Sequence, residues 1–422
     1  NAFLQDTIGN YTFRCENGNY SFGAVTCSSA SADTVLRAML ENFQNGRPSG
    51  YSTQVAFPGR TLDDAIAQWS YQNTGAFIQD TWRPMPRLEL MAGVRIDSLG
   101  VSQSPLANKA ALTAFGYDNT TTLDGKKLFQ PRLGFNWDLS QSAQKMQLRG
   151  GWGLFQGTAP TVWLSNPFSN TGMASGIVNC TSASACSTGN IRFNPDPNAQ
   201  PTIAGTPPAQ NVDFISPGLN LPSVRKATLA LDAQLPALPY IGPVVASVEY
   251  LQTDVRTGIY YENLNLGSPT AKGLDGRDLF WNSFGLNTNC WTVTGANNNN
   301  GVGCAGSVDS RTNRNRAFNN VLLARETSLG GSGAFTMSVV SPVRSGFGWG
   351  AAYTRASATE VSPVTSSVAN SNWTSRNIFN PNEQVVQNSN YLIKDRFSAN
   401  AIWSKPYFGN LRSTVGVFWE YR

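Results

Sequence analysis

The residues best suited to covalent chemistry in this chain are six cysteines, which form three couples close in sequence. The couples are Cys15 with Cys27, Cys180 with Cys186, and Cys290 with Cys304, at separations of 12, 6 and 14 residues. Nearest-neighbour pairing is the simplest of the possible connectivities because each couple lies in one Gly/Asn/Ser-rich segment. No couple has the Cys-x-x-Cys spacing of a metal site. The spacing therefore predicts three local disulfides, which require an oxidising compartment.

Catalytic chemistry is restricted because the 422-residue chain contains no histidine. This excludes Ser-His-Asp and Cys-His catalysis, histidine-bound zinc and a histidine haem ligand. No nucleophile, acid/base pair or phosphate loop stands out, so we expect neither an enzyme nor a cofactor site. The net charge is +5 with no basic run, which argues against nucleic-acid binding.

Two acidic turn sequences are candidates for calcium. Residues 275–278 read Asp-Gly-Arg-Asp and residues 194–197 read Asn-Pro-Asp-Pro. Their oxygens are of the type that calcium prefers, but turn chemistry explains both sequences without a metal. We predict no metal site and leave calcium binding by these turns open.

The dominant pattern is an alternation of polar and apolar residues, as in Arg87–Asp97 and Leu128–Asp138. The alternating runs are longer than the roughly 5 or 6 residues of a globular strand. They match the roughly 9 to 11 residues of a tilted membrane-spanning strand. Ten spans are predicted: 71–83, 86–98, 128–139, 146–157, 223–235, 243–258, 333–342, 348–359, 391–403 and 411–422.

Connections between these spans alternate in length. Short links separate the spans within a pair, whereas segments of roughly 30 to 70 residues (99–127, 158–222, 260–332 and 360–390) separate the pairs. Short turns on one side and long loops on the other are typical of outer-membrane barrels. Residues Asn319–Arg325 interrupt the pattern; we interpret them as part of a hairpin rising above the membrane within a loop, with a spanning strand as the alternative.

The chain divides into two parts. Residues 1–70 are predicted to be an extracellular loop region with a short helix at Asp33–Asn45, where apolar residues follow helical spacing. Residues 71–422 are predicted to be a partial transmembrane β-barrel. The fold class is thus all-β: an antiparallel barrel, about ten strands of a larger one, with long disulfide-closed extracellular loops.

The polar side of each alternating run predicts the residues that face the barrel lumen. These are Arg87, Glu89, Arg95, Asp97, Arg132, Arg149, Glu249, Lys394, Arg396, Arg412 and Glu420. Such charges could hold a plug by ion pairs or contact a passing substrate, but we prefer a generic polar lumen as their explanation. Trp and Tyr near the run ends match the aromatic girdles of a barrel.

Several stretches together resemble TonB-dependent outer-membrane receptors. Tyr71–Asp97 (YQNTGAFIQDTWRPMPRLELMAGVRID) resembles a strand-turn-strand of that family, and Gln130–Phe155 resembles its next hairpin. Arg311–Tyr353 and Phe379–Tyr421 are similar to the Oar-like subgroup. The resemblance covers nearly all of residues 71–422 and identifies architecture better than substrate.

The resemblance implies a barrel of about 22 or more strands filled by a plug, energised through a TonB box by the TonB–ExbB–ExbD complex. A plug, a TonB box and a C-terminal strand ending in Phe are not recognisable here, so we expect an internal piece of a longer chain. The implied partners are outer-membrane lipid, TonB through a plug absent from this chain, and an unknown transported ligand. The implied location is the bacterial outer membrane, with the long loops extracellular.

Two other hypotheses fit the same residues. The Asn/Gly/Ser-rich loops could serve a surface adhesin or structural interaction protein, alone or alongside transport. A soluble secreted β-sandwich is the third. The sequence identifies neither the ligand nor the direction of transport.

Overall fold

Strands dominate the structure, a computed structural model that describes residues 9–141, 144–157, 161–180, 186, 190–202, 209–238, 242–281, 291–292, 295–296, 311–409 and 411–422. The strands are β1 (Asn10–Thr12), β2 (Gly18–Tyr20), β3 (Gly23–Val25), β4 (Gly50–Ala56), β5 (Tyr71–Met85), β6 (Leu88–Val101), β7 (Lys127–Asp138), β8 (Met146–Gln156), β9 (Ser175–Cys180), β10 (Gln210–Ile215), β11 (Ser223–Leu238), β12 (Gly242–Asn263), β13 (Ala271–Lys272), β14 (Asp278–Leu279), β15 (Trp291–Thr292), β16 (Gly295–Ala296), β17 (Phe318–Thr327), β18 (Gly331–Arg344), β19 (Phe347–Glu360), β20 (Gln387–Asn388), β21 (Asp395–Tyr407) and β22 (Leu411–Tyr421). The helices are α1 (Ala32–Gln44), α2 (Lys109–Phe115), α3 (Thr161–Leu164), α4 (Asn166–Ser169) and α5 (Ala369–Thr374), with a 3₁₀ helix at Leu62–Ala65. Within the described residues, every helix falls short of the length and hydropathy that crossing a bilayer requires.

Ten long strands form one antiparallel main sheet in the order β5-β6-β7-β8-β11-β12-β18-β19-β21-β22. Each of the ten predicted spans is present as one of these strands, and each strand pairs with its neighbours along the series. Among the described residues, β5 and β22 each pair with one strand only, so no ladder joins the two edges of the sheet there. The fold is all-β and the main sheet is antiparallel.

The two ends of the main sheet differ. At the turn end, β5 connects to β6 through residues 86–87 and β18 connects to β19 through Ser345 and Gly346. Both residues of the second turn have positive φ, at 51° and 86°, as a two-residue hairpin of right-handed twist requires. At the loop end, the strands are joined by the four long connections 102–126, 157–222, 264–330 and 361–394. We call the described parts of these connections the loop layer.

The segment predicted as a hairpin within a loop lies in the loop layer. Residues Val245–Asp254 of β12 pair with β18, whereas its continuation, Gly258–Asn263, pairs with β17. β17 also pairs in parallel with β10. β17 therefore extends the sheet beyond the loop end instead of adding a strand to the ten.

The buried core of the molecule lies in the loop layer. One cluster, here called the loop core, comprises Leu99, Leu123, Leu164, Ile215, Leu219, Leu221, Ile259, Tyr261, Leu322, Ala324 and Ala369. A second cluster comprises Ala111, Val212, Phe214, Phe318, Val321 and Leu323. Because alternate residues of β17 enter the two clusters, this strand is buried on both faces. The long connections are thus packed structures, not featureless loops.

Residues 9–70 join the loop end through a small sheet in which β4 pairs with β1 and with β9, a strand of the second long connection. The predicted helix is confirmed as α1, where the Ser31 side chain accepts a hydrogen bond from the Thr34 amide at 3.2 Å. The predicted disulfides Cys15–Cys27 and Cys180–Cys186 are confirmed. Cys290 and Cys304 lie outside the described residues.

Candidate functional site: the polar face and the loop layer

The pairing registers place residues from eight successive strands on one face of the main sheet, which we call the polar face because seven of the eight are polar. One row across it consists of Glu89, Asn136, Arg149, Ala230, Glu249, Thr336, Thr354 and Arg396. The predicted lumen residues Arg95, Asp97, Arg132, Arg412 and Glu420 lie on the same face. Two predicted residues lie outside the strands: Arg87 is in the turn before β6 and Lys394 precedes β21.

Arg149 is the centre of an ion-pair group that links three strands. Its Nε lies 2.9 Å from Asp232 Oδ2 on β11, and its Nη2 lies 2.9 Å from Glu249 Oε2 on β12. Asp232 also accepts a hydrogen bond from Ser247. Because one guanidinium serves two carboxylates, both acids have a cationic partner although the group carries one more negative than positive charge.

A second group lies closer to the loop end. Arg95 forms a bidentate pair with Asp97, with both N···O distances at 2.7 Å. Gln130 donates to the same carboxylate and accepts from the Gln156 amide at 2.9 Å. Asp97 is 2% exposed, so three donor contacts satisfy a carboxylate that is almost fully withdrawn from solvent.

Other predicted charges are placed near the edges of the sheet. Glu420 of β22 pairs with Arg396 at 3.0 Å and also with Arg422. Glu89 pairs with Arg83 of β5 at 2.7 Å. The Arg132 guanidinium lies 4.6 Å from the centre of the Phe155 ring, and its Nε has no hydrogen-bond partner among the described residues.

The opposite face of the sheet is apolar and exposed. Side chains on it include Phe129, Leu133, Leu229, Tyr250, Met337, Phe397 and Val417. Leu229 is 53% exposed and Val417 is 64% exposed. Trp82, Trp137, Trp152, Trp403 and Trp419 share this face by register. An apolar face this extensive needs an apolar medium or a partner to cover it.

The loop core covers the loop-side end of the polar face. Leu128 lies opposite Asp97 in the ladder, and Leu99 is two residues beyond Asp97 on the same face. Leu99 is 1% exposed within the loop core, and Leu128 packs against that cluster. The loop core thus lies directly on the loop-side end of the polar face at β6 and β7.

Asparagine side chains connect the segments of the loop layer. Asn265 is fully buried and donates to the carbonyls of Phe318 and Asn319 at 2.7 and 2.9 Å. Asn382 accepts from the Asn263 amide and donates to the Asn263 carbonyl, at 2.8 and 2.9 Å. Since these amides satisfy backbone groups that strand pairing leaves open, they serve a structural role.

Arg376 is a buried cation in the same layer. It is 5% exposed and donates to the backbone carbonyls of Val361, Tyr261 and Glu383. Its guanidinium also lies 5.3 Å from the centre of the Tyr260 ring. Burial lowers the pKa of Arg376 from its ordinary value. The residue thus links β12 to two parts of the fourth long connection.

Asp213 of β10 is the buried acid of the layer. It is 2% exposed, and its carboxylate accepts a hydrogen bond from Asn170 Nδ2 at 2.7 Å. Burial raises the pKa of Asp213 to about 7, against which the Asn170 bond acts only partly. A carboxyl group with this pKa changes its charge near neutral pH.

The two candidate calcium turns have their oxygens engaged within the turns. Asp275 pairs with Arg277 at 2.6 Å, and Asp278 pairs with Lys272. In the other turn, Asn194 Oδ1 accepts from the Asp196 amide at 3.0 Å, and Asp196 Oδ1 accepts from the Asn198 amide at 2.9 Å. These contacts are the turn chemistry that the sequence suggested.

Sheet architecture and sequence comparison agree on the family. A family model described as an outer membrane beta barrel domain matches residues 2–417. The chain belongs to this family. No curated protein matches the chain. Membership of this family explains the exposed apolar face of the main sheet. In outer membrane barrel domains, apolar residues that face outward to lipid alternate with polar residues that face inward.

Sequence reasoning missed several residues of this barrel domain. Asp232 was not recognised as a partner of Arg149, although it stands between apolar residues of β11. Asp213 gave a similar signal, a single acid within the apolar run Val212–Ile215. Arg376 shows no signal in the sequence, because its hydrogen-bond partners are backbone carbonyls of other segments.

Proposed function

We propose that this outer membrane domain is part of a TonB-dependent receptor of the Oar-like subgroup, which binds a ligand at extracellular loops for energised passage through a plugged barrel. The observation that carries the proposal is the arrangement of the main sheet. One face is apolar and exposed, and the other is lined with ion pairs and covered at one end by the loop layer. The resemblance of residues 71–422 to receptor strands supports the same assignment.

In this proposal the polar face lines the lumen and the loop layer faces the cell exterior. The charged residues on the polar face are largely paired with each other, as in the Arg149 and Arg95 groups. A plug or a ligand therefore exchanges one set of ion pairs for another at modest net cost. We also propose that the domain has no catalytic role.

The test uses the full-length protein encoded by the gene, purified in detergent. We expect it to bind the periplasmic domain of TonB, as measured by surface capture, and to lose that binding when the TonB box that the proposal places before residue 1 is deleted. An unrelated outer-membrane porin serves as the control. Absence of binding by the full-length protein excludes TonB dependence and leaves the membership of the family intact.

A surface adhesin is the second candidate function, and α1 is the observation that favours it. Leu36, Leu40 and Phe43 of this helix are 53%, 50% and 50% exposed, in a region closed by the Cys15–Cys27 disulfide. Their spacing puts them on one stripe, the kind of apolar surface that binds partners.

Replacing Leu36 and Leu40 of α1 by serine separates the two functions, because both are half exposed. Phe43 is kept, because its ring contacts Phe13 at 5.1 Å and Phe193 at 5.6 Å. An adhesin loses attachment of cells to matrix-coated surfaces on this change. A receptor keeps its TonB binding and its level in the outer membrane, and attachment stays as in the unmodified protein.

A further inference from the structure

Three elements of the loop layer, namely β10, β17 and α4, meet around Asp213. β10, which carries it, pairs in parallel with β17, with Asp213 opposite Leu322. The Asp213 amide donates to the Asn170 carbonyl at 2.9 Å, and Asn170 Nδ2 donates to the carboxylate at 2.7 Å. Asn170 is the residue that ends α4. The acid therefore joins the second long connection to the strand that extends β12.

The surroundings of the carboxyl group are apolar except for Asn166, whose side chain is bonded to the backbone of Trp163, Ser367 and Ala369. A cavity of ≈ 10 Å³ beside it, about the volume of one water-sized probe, is lined by Trp163 and Leu164 of α3, Pro167 of α4, Ile259 and Tyr261 of β12, and Ala324 of β17. Among all residues that line this cavity, the phenol of Tyr261 is the one titratable group besides Asp213, and none is a Lys or Arg. A phenol is neutral at physiological pH, so no cation from these elements faces the acid.

We propose that Asp213 is a proton-dependent latch of the loop layer: the protonated acid keeps the layer packed over the polar face, and the ionised acid loosens it. A neutral carboxyl group fits a small apolar cavity with one amide partner. An ionised carboxylate there lacks the paired charge and multiple donors that buried carboxylates require. Opening the layer exposes the carboxylate to water and removes this cost.

The direction of the pH effect follows from linkage. The pKa of Asp213 in the closed layer is about 7, above the ordinary value of 3.8. Protonation of Asp213 therefore stabilises the closed layer fully below the ordinary pKa, and this stabilisation is lost as the pH rises to about 7. Between pH 5 and pH 8 the opening equilibrium constant is expected to rise roughly a hundredfold. This latch concerns the loop layer itself and operates whether or not transport depends on TonB.

Amide hydrogen exchange of the full protein in bilayers measures the latch. Segments 210–215, 258–263 and 318–327 are followed at pH 5 and pH 8, with rates corrected for the intrinsic pH dependence of exchange. The unmodified protein is expected to lose protection at pH 8. Asp213→Asn, which keeps the shape and cannot ionise, is expected to stay protected at both values.

Asp118→Asn is the matched control, since Asp118 is an exposed acid of the same layer whose carboxylate accepts from the Thr120 amide at 2.9 Å. It should behave as the unmodified protein. Equal protection of the unmodified protein at both pH values overturns the latch, as does an unchanged pH response in Asp213→Asn.

Infrared spectroscopy of protein carrying isotope-labelled aspartate tests the unmodified chain directly, in case Asp213→Asn does not fold. The latch requires the carbonyl band of a buried, protonated carboxylic acid at pH 6 and its disappearance by pH 8.5. An aspartate spectrum without this band at pH 6 overturns the proposal.

Discussion

Leu229 in the main sheet and Leu322 in the loop layer are both leucines inside β-strands, but they meet different surroundings. Leu229 lies on the apolar face and is 53% exposed, whereas Leu322 is 1% exposed between neighbouring loop segments. The main sheet leaves its apolar side chains for the membrane to cover. The loop layer covers its own apolar side chains by packing its segments against each other.

The strands of the two regions also differ in their sequence pattern. In the main sheet, one polar and one apolar face match a boundary between a lumen and lipid. In β17, both faces are apolar and both are buried, as in a strand at the centre of a globular protein. Equivalent substitutions in the two regions are therefore expected to lower the free energy of opening or unfolding by different amounts.

Removing a buried leucine from the loop core should have the largest effect. Leu322→Ala leaves a cavity between tightly packed segments, which typically costs about 3–5 kcal/mol. We expect the free energy of opening the loop layer to fall by this amount in hydrogen exchange of segments 210–215 and 318–327.

Leu229→Ala is the matched control, because its half-exposed side chain leaves no enclosed cavity. Protection of the loop layer should be the same as in the unmodified protein. If the two substitutions loosen the loop layer equally, the two regions do not have separate cores.

Placing a charge on the apolar face should have the next largest effect. Leu229→Arg puts a guanidinium near the middle of β11, where burial in lipid costs about 2–4 kcal/mol. The expected result is a matching loss in the free energy of unfolding, measured by urea titration of the protein in lipid bilayers. Thr228→Arg, one residue away on the polar face, should cost much less. Equal losses would show that both faces meet the same medium.

Breaking the Arg149 group should have the smallest effect. Arg149→Gln leaves Asp232 and Glu249 without their shared cation, but Arg149 is 42% exposed, so screening limits the loss to about 1 kcal/mol. The same urea titration should show this loss at low salt and less of it at high salt. Arg83→Gln, which breaks a pair with 73% exposure of the arginine, should produce no measurable change. A larger effect from Arg83→Gln than from Arg149→Gln would reverse the predicted order.

Local periodicity was sufficient to predict the main sheet. Each of its strands pairs with a neighbour in the series, and the alternation in one strand shows which residues share a face. The two described disulfides were predictable for the same reason, since their partners lie 12 and 6 residues apart. The strand pairs and the disulfides both depend on residues that lie close together in the sequence.

The loop layer was not predictable because its contacts are distant in sequence. β12 was expected to end at residue 258 and continues to Asn263, since β17 pairs with its last residues. The parallel pairing of β10 with β17 joins Asp213 to Leu322, which no local pattern reveals. Arg376 and Asp213 acquire their roles only through these contacts. The sequence therefore predicted long loops where the chain forms its buried core.

Lipid is expected to cover the apolar face of the main sheet and not to reach the loop layer. Fluorotryptophan-labelled protein in bilayers that contain spin-labelled acyl chains tests this expectation, by fluorine NMR with single Trp→Phe variants for assignment. We expect strongly broadened fluorine signals from Trp152 and Trp419 on the apolar face and sharp signals from Trp163 and Trp373 in the loop layer. Sharp signals from Trp152 and Trp419, or equal broadening of all four, would contradict this expectation.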